Sequence, residues 1–205
     1  MAQTLDLAFP FTGRWLVQNS PADRVPSHGT RLFATAYAID FVPVDERGRT
    51  APITLTTLLR REPPGRFPGF GRPITAPAPG VVAAVADGAL DHDAVRGLPS
   101  IGYALTQGRR VARGWAALAG NHVVIEVSSA AYVALCHLRH GSVRVEVGDV
   151  LGMGDEIGRC GNSGNSTEPH VHVQAMTGPD PQHAEALPIS FAGRLPRNGE
   201  FVELP

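Results

Sequence analysis

The chain has 205 residues, enough for one large domain whose core needs no help from disulfides. Hydrophobic residues make up 43% and charged residues 18%, which excludes a disordered or strongly solvated chain. The formal net charge is −1, all 18 basic residues are Arg, and no run of about 18 apolar residues occurs. A globally basic nucleic-acid binder and a transmembrane helix are therefore both excluded.

Gly (23) and Pro (18) form a fifth of the chain, too many breakers for a helical bundle, so short strands and many turns are expected. The segment Met1 to Pro10 lacks the charged start and the apolar stretch of a signal peptide. That fits a protein kept inside the cell, or a chain that begins after a removed leader. Two cysteines, Cys136 and Cys160, are too few for a disulfide scaffold and read as buried thiols.

Residues 1–27 read as an extended arm with one short strand around Trp15-Leu16-Val17. Tyr37 to Val42 is an apolar run around a single acid, Asp40, and reads as a buried strand. Residues 43–73 are rich in Pro, Gly and Arg and read as a long surface loop. After the turn at Ala76 to Gly80, a strand is expected over Val81 to Val85. Residues 89–119 then interrupt the sheet. Within them Ile101, Leu105, Gly108, Ala112, Trp115 and Ala119 recur at steps of three and four, predicting one short helix. Strands resume at His122 to Val127, Tyr132 to Leu138, the alternating Ser142 to Val147, and His170 to Gln174. The tail from 178 is Pro-rich and reads as irregular. The expectation is a mainly β, antiparallel domain over 28–177 with insertions at 43–73 and 89–119.

The chemistry concentrates late in the chain. In a strand, His170 and His172 of His170-Val171-His172 point to one face, while Val171 and Val173 point to the other. Two imidazoles about 7 Å apart can share a metal, or divide ligand and acid–base roles at one. By the same rule His137 shares a face with Leu135 and Val133, and there it needs a polar partner. Asp40, inside Tyr37-Ala38-Ile39-Asp40-Phe41-Val42, must be paired, hydrogen-bonded or metal-bound if buried. The loop Gly161 to Pro169 is made of small turn formers that suit a tightly wound segment beside a site. The long insertions are candidate cleft walls. Their arginines, Arg60-Arg61 with Arg66 and Arg109-Arg110 with Arg113, read as solvated faces or as holders of carboxylates. Asp91-His92-Asp93 reads as a solvated turn.

Gly120-Asn121-His122-Val123-Val124-Ile125, His137-Leu138, Gly148-Asp149, the loop Cys160 to Thr167 and Pro169-His170-Val171-His172 together resemble the lysostaphin/LytM-type zinc metallopeptidases. Upstream, Ala38-Ile39-Asp40-Phe41 and the Ala76 to Val82 stretch resemble that family's first metal motif and the strand after it. The resemblance implies an open antiparallel β-sheet domain of the duplicated hybrid motif type, with the site in a groove. It implies His28, Asp40 and His172 as ligands of one zinc per chain, and His137 and His170 as the residues acting on the chemistry. It implies hydrolysis of peptide bonds, with peptidoglycan cross-links or glycine-rich peptides as substrate.

One departure bears on the site. The family's first motif places a His four residues before the Asp, where this chain has Ala36. The nearest upstream His is His28, twelve residues before Asp40, so Thr30 to Thr35 would be looped out. A non-catalytic binding or regulatory module with a degenerate metal site is the alternative reading. A sugar-transport-like carrier would need neither Asp40 nor paired histidines. With no Glu beside His170-Val171-His172, an imidazole is the candidate base, and activity is expected to fall below about pH 6.

Overall fold

The computed structural model of the chain describes residues 4–52 and 54–205. Residues 1–3 of the expected arm and Ile53 of the first insertion lie outside the described residues. In chain order β1 (Leu5–Leu7) and β2 (Gly13–Gln18) lead to β3 (Ile39–Pro43), which is buried along its whole length. The first insertion holds α1 (Leu55–Leu59), and β4 (Pro73–Thr75) starts at its last residue. Next come β5 (Gly80–Ala86) and then α2 (Leu98–Leu105), α3 (Gln107–Val111) and α4 (Trp115–Ala119). The hairpin β6 (Asn121–Ser128) and β7 (Ala131–Leu138) follows, then β8 (Val150–Leu151), β9 (Glu156–Arg159) and β10 (Val171–Met176). The chain ends in β11 (Ala186–Leu187), β12 (Ile189–Phe191) and β13 (Phe201–Leu204).

Eight of these strands form one path, β13-β2-β3-β10-β7-β6-β5-β8, with β11 added beside β10. Every pairing in this sheet is antiparallel, and it ends in two edges instead of closing into a barrel. The fold is mainly β, as the breaker content requires. Alternation sorts the side chains of the central strands onto two faces. Ile39, Phe41, Val133, Leu135, Val171 and Val173 enter the main core, which also takes in Ile74 and Ile157 of the separate β4–β9 pair. On the opposite face Ala134, Cys136 and Met176 pack with Trp115 and Ala119 of α4 and with Ala34. That second face carries the site.

Four sequence expectations need correction. The single helix over 100–119 is three short helices, broken at Thr106 and at Gly114, whose φ of +85° suits only glycine. Its expected apolar stripe does not persist, since Leu105 is exposed while Trp115 and Ala119 are buried. The side chain of Ile101 lies outside the described residues. Ser142 to Val147 forms no strand despite its alternation. Its backbone N–H groups are taken instead by the carboxylates of Asp87, at Val143, and Asp149, at Glu146; only Arg144 bonds the Ile157 carbonyl of β9. The tail contributes three strands, β13 extending the main sheet beside β2 and β12 pairing in parallel with β1. The N-terminal segment accordingly has two strands, not one.

Candidate metal centre

The site is a row across the sheet. In register, Asp40 on β3 pairs with His172 on β10, and His172 pairs on its other side with Cys136 on β7. Neighbouring strands lie about 4.8 Å apart, which sets side chains of one row within reach of a common point. His172 Nδ1 lies 2.9 Å from Asp40 Oδ1. His28 Nε2 lies 3.1 Å from Asp40 Oδ2. Donor atoms of His28, Asp40 and His172 all fall within 4.8 Å of one another.

His28 reaches this row because the chain between it and β3 is looped out on a closed stem. Ser27 N–H donates to the Ala36 carbonyl (3.0 Å), so Ala36 lies across the stem from the residue preceding His28. The loop turns through Phe33 and Ala34, both left-handed with φ of +57° and +58°.

Hydrogen-bond partners decide which ring nitrogens carry protons. The Ser27 hydroxyl donates to the Thr35 carbonyl (3.3 Å), so it accepts from His28 Nδ1–H (3.0 Å) and leaves Nε2 to face Asp40. The Gln174 amide nitrogen donates to the Phe33 carbonyl (2.9 Å), which turns its oxygen to accept from His172 Nε2–H (3.1 Å). His172 Nδ1 is then the nitrogen that faces Asp40. Asn19 donates to Asp40 Oδ2 (2.7 Å). Burial pushes the Asp40 carboxyl up, but His28 and His170 and the hydrogen bonds from His172 and His28 outweigh it and hold it well below 3.8. Two imidazole nitrogens thus face an ionised carboxylate at hydrogen-bonding distance, contacts that a proton on each ring, or one cation shared by all three groups, satisfies. Two imidazole nitrogens and one carboxylate oxygen, each with an outer hydrogen-bond partner, suit a catalytic zinc with an open position.

The other two expected histidines stand beside this triad. His137 and His170 rings lie 4.6 Å apart, and His137 and His172 rings 5.9 Å apart, centre to centre. His137 Nδ1–H donates to the Ser163 carbonyl (2.9 Å) and His170 Nδ1–H to the Glu168 carbonyl (2.8 Å). Carbonyls only accept, so each ring carries a proton on Nδ1, which in a neutral ring leaves Nε2 bare. Burial, together with the neighbouring His170 and His172, pushes His137 well below 6.5.

The sequence-based facing of His137 needs correction. Alternation puts it with Leu135 and Val133, but those two and Leu138 belong to the main core while His137 lines the opposite face with Cys136. The cause is its own backbone: His137 has φ of +63°, which breaks the period of two and sets Leu138 back into the core. No residue-type signal marks such a break.

All five residues border a cavity of about 500 Å³. Leu32 and Phe33 of the His28 loop form one wall, and Tyr103, Arg110, Trp115 and Leu118 of the 89–119 insertion form another. The 43–73 insertion contributes nothing to this lining. Of the expected arginines, only Arg110 borders the cavity among the described residues; it stacks on Tyr103 (3.6 Å) and donates from Nε to Asn165 (2.6 Å). Arg66 pairs instead with the buried Glu62 (3.7 Å). Asp91 and His92 brace the loop of small residues through Asn162 N–H and the Gly164 carbonyl. Asn19, Ser27 and Gln174 were not singled out by the sequence. Gln174 alone carried a usable signal, a polar residue two places after His172 on the same strand face.

Residues 90–184, a little under half of the chain, match the model of Peptidase family M23. An uncharacterized metalloprotease of Buchnera aphidicola is 38% identical over 56 residues, which are 27% of this chain and 14% of that protein. The chain thus aligns with about a seventh of that curated relative's length. Among solved structures, the catalytic domain of the prophage-encoded M23 protein EnpA from Enterococcus faecalis is 21% identical with a TM-score of 0.43. The alignment covers 74% of this chain and 73% of that one. The catalytic domain of lysostaphin from Staphylococcus simulans is 18% identical with a TM-score of 0.41, over 73% and 74% of the two chains. Among the described residues no helix is long and apolar enough to cross a membrane.

Proposed function

We propose that the protein is a zinc-dependent endopeptidase in which His28, Asp40 and His172 hold one zinc per chain and His137 and His170 act on the reacting atoms. The observation that carries this reading is the convergence of His28 and His172 nitrogens on the Asp40 carboxylate, all within 4.8 Å of one another, with two further imidazoles bordering the same cavity. When bound, zinc supplies a Lewis acid that polarises the scissile carbonyl and acidifies the attacking water.

The rest falls to the chain's own groups. Neutral His137, with Nε2 bare, takes the proton of the attacking water. That proton passes on to His170, whose ring centre lies 4.6 Å from that of His137, and the protonated His170 stabilises the oxyanion and gives the same proton to the leaving amine. The carbonyls of Ser163 and Glu168 hold both rings in the tautomer this requires. The Tyr103 to Leu118 wall and the Leu32-Phe33 wall narrow the cavity, so an extended peptide fits it better than a folded surface. Peptidoglycan cross-links and glycine-rich peptides are the substrates that the motif resemblance supports. The unit that carries the chemistry is residues 28–177, with the 1–27 and 178–205 segments flanking it.

The test is release of new amino termini from purified peptidoglycan and from glycine-rich peptides by the zinc-loaded chain. The reading expects turnover that is lost in His137→Ala with the metal still bound. A zinc-loaded chain that cleaves none of these substrates but binds them would favour the non-catalytic binding module.

A further inference from the structure

Gln174 is fully buried, and it joins two parts of the site that are 141 residues apart in sequence. Its oxygen accepts from His172 Nε2–H (3.1 Å), and its nitrogen donates to the Phe33 carbonyl (2.9 Å). The second bond falls on an unusual backbone. Phe33 and Ala34 are consecutive left-handed residues other than glycine, a conformation that costs on the order of 1–3 kcal/mol per residue and persists only where its surroundings enforce it. Ala34 is buried against Trp115 and Met176, and Phe33 lines the cavity. This turn lies within the loop that begins at His28, closed at its stem by Ser27 and Ala36.

Resting on the zinc reading above, we propose that Gln174 is a positioning residue that couples the two imidazole ligands. One end of its amide fixes the proton of His172 on Nε2, and the other latches the turn that carries His28 to Asp40. The amide supplies both ends of this contact from one side chain. A buried group is needed that accepts at one end and donates at the other. Glu would lack the donor, and an apolar side chain would lack both. The latch also accounts for how a ligand twelve residues from Asp40 is held in place of one four residues away: the extra chain is pinned at its stem by Ser27 and at its strained turn by Gln174.

The test is the zinc dissociation constant, measured by competition with a chromophoric chelator, for the wild-type chain, Gln174→Met and Gln174→Ala. Gln174→Met keeps the volume and removes both hydrogen bonds, so it guards against simple loss of folding, which a zinc-free thermal melt checks. The expected result is zinc binding weaker by about 10–100-fold in both variants. Imidazole ¹⁵N shifts should also show mixed His172 tautomers in zinc-free Gln174→Met and a single Nε2–H tautomer in the wild type. Affinity within twofold of wild type in Gln174→Met, with the His172 tautomer unchanged, would overturn the inference. A wild-type chain that binds no zinc would instead defeat the metal reading itself, and the two failures are distinguishable.

Discussion

Ser27 and Ala36 are joined by a backbone hydrogen bond of 3.0 Å, and the eight residues between them leave the path toward β3 and return to it. The closure sets His28, the first residue of the loop, beside the position where the resembling family keeps its His. The extra chain is stored as a loop instead of displacing the ligand from Asp40, whose carboxylate lies 3.1 Å from His28 Nε2. Asp40 then stands between His28 and His172 as the centre of the proposed metal site.

Asp40→Ala removes the central carboxylate. It should abolish zinc binding at micromolar metal and lower peptidase activity by at least about 10³-fold, since no other group in the row can replace it. Metal analysis and a peptide-release assay on the same preparation check this. Full zinc content in the variant would contradict it.

His137→Ala should leave zinc content unchanged and lower turnover by about 10²–10⁴-fold, the range of a positioned proton-transfer group. Loss of metal in this variant would mean that His137 is a ligand and that the division of roles is wrong.

Acid should weaken the zinc-free fold. The unfolded chain takes up a proton at His137 near 6.5, whereas burial and its imidazole neighbours keep the folded group neutral to well below that. The unfolded state therefore binds more protons below 6.5, and stability falls as pH falls. Asp40 adds to this further down: its depressed carboxyl contributes stability above 3.8 that is lost as pH drops through the folded value. Urea midpoints across this range should decline from about pH 6.5 downward, less steeply in His137→Asn. A midpoint unchanged down to about pH 5 would contradict the neutral His137. The same depression moves the activity limb due to His137 below the value near pH 6 expected from an ordinary imidazole.

Gly120→Ala should cost about 2 kcal/mol or more and reduce activity. Gly120 has φ of +64°, and an added Cβ would meet Ser163 Oγ at 2.5 Å and Gly164 N at 2.6 Å. The loop it would push is the one whose Ser163 carbonyl holds His137. Urea unfolding together with turnover of the surviving folded fraction checks both effects. Normal turnover per folded molecule would show that the loop does not set the ring.

The central strands and the His170/His172 pair were legible because apolar alternation and burial follow directly from the period of two. Asp40 was legible because a lone acid in a buried strand demands partners. Three features were not. The facing of His137 depends on one left-handed residue, which no composition signal marks. Ser142 to Val147 alternates like a strand, yet Asp87 and Asp149 capture N–H groups that a neighbouring strand would have used. The reach of His28 depends on a stem and a latched turn whose partners, Ala36 and Gln174, lie 8 and 146 residues beyond it.

The most direct measurement is zinc content by mass spectrometry of the untagged chain and of His28→Ala, each dialysed against equal zinc. The account predicts about one zinc per wild-type chain and markedly less in the variant. Equal zinc in the two, or none in the wild type after zinc is supplied, would contradict the claim that His28 completes the site.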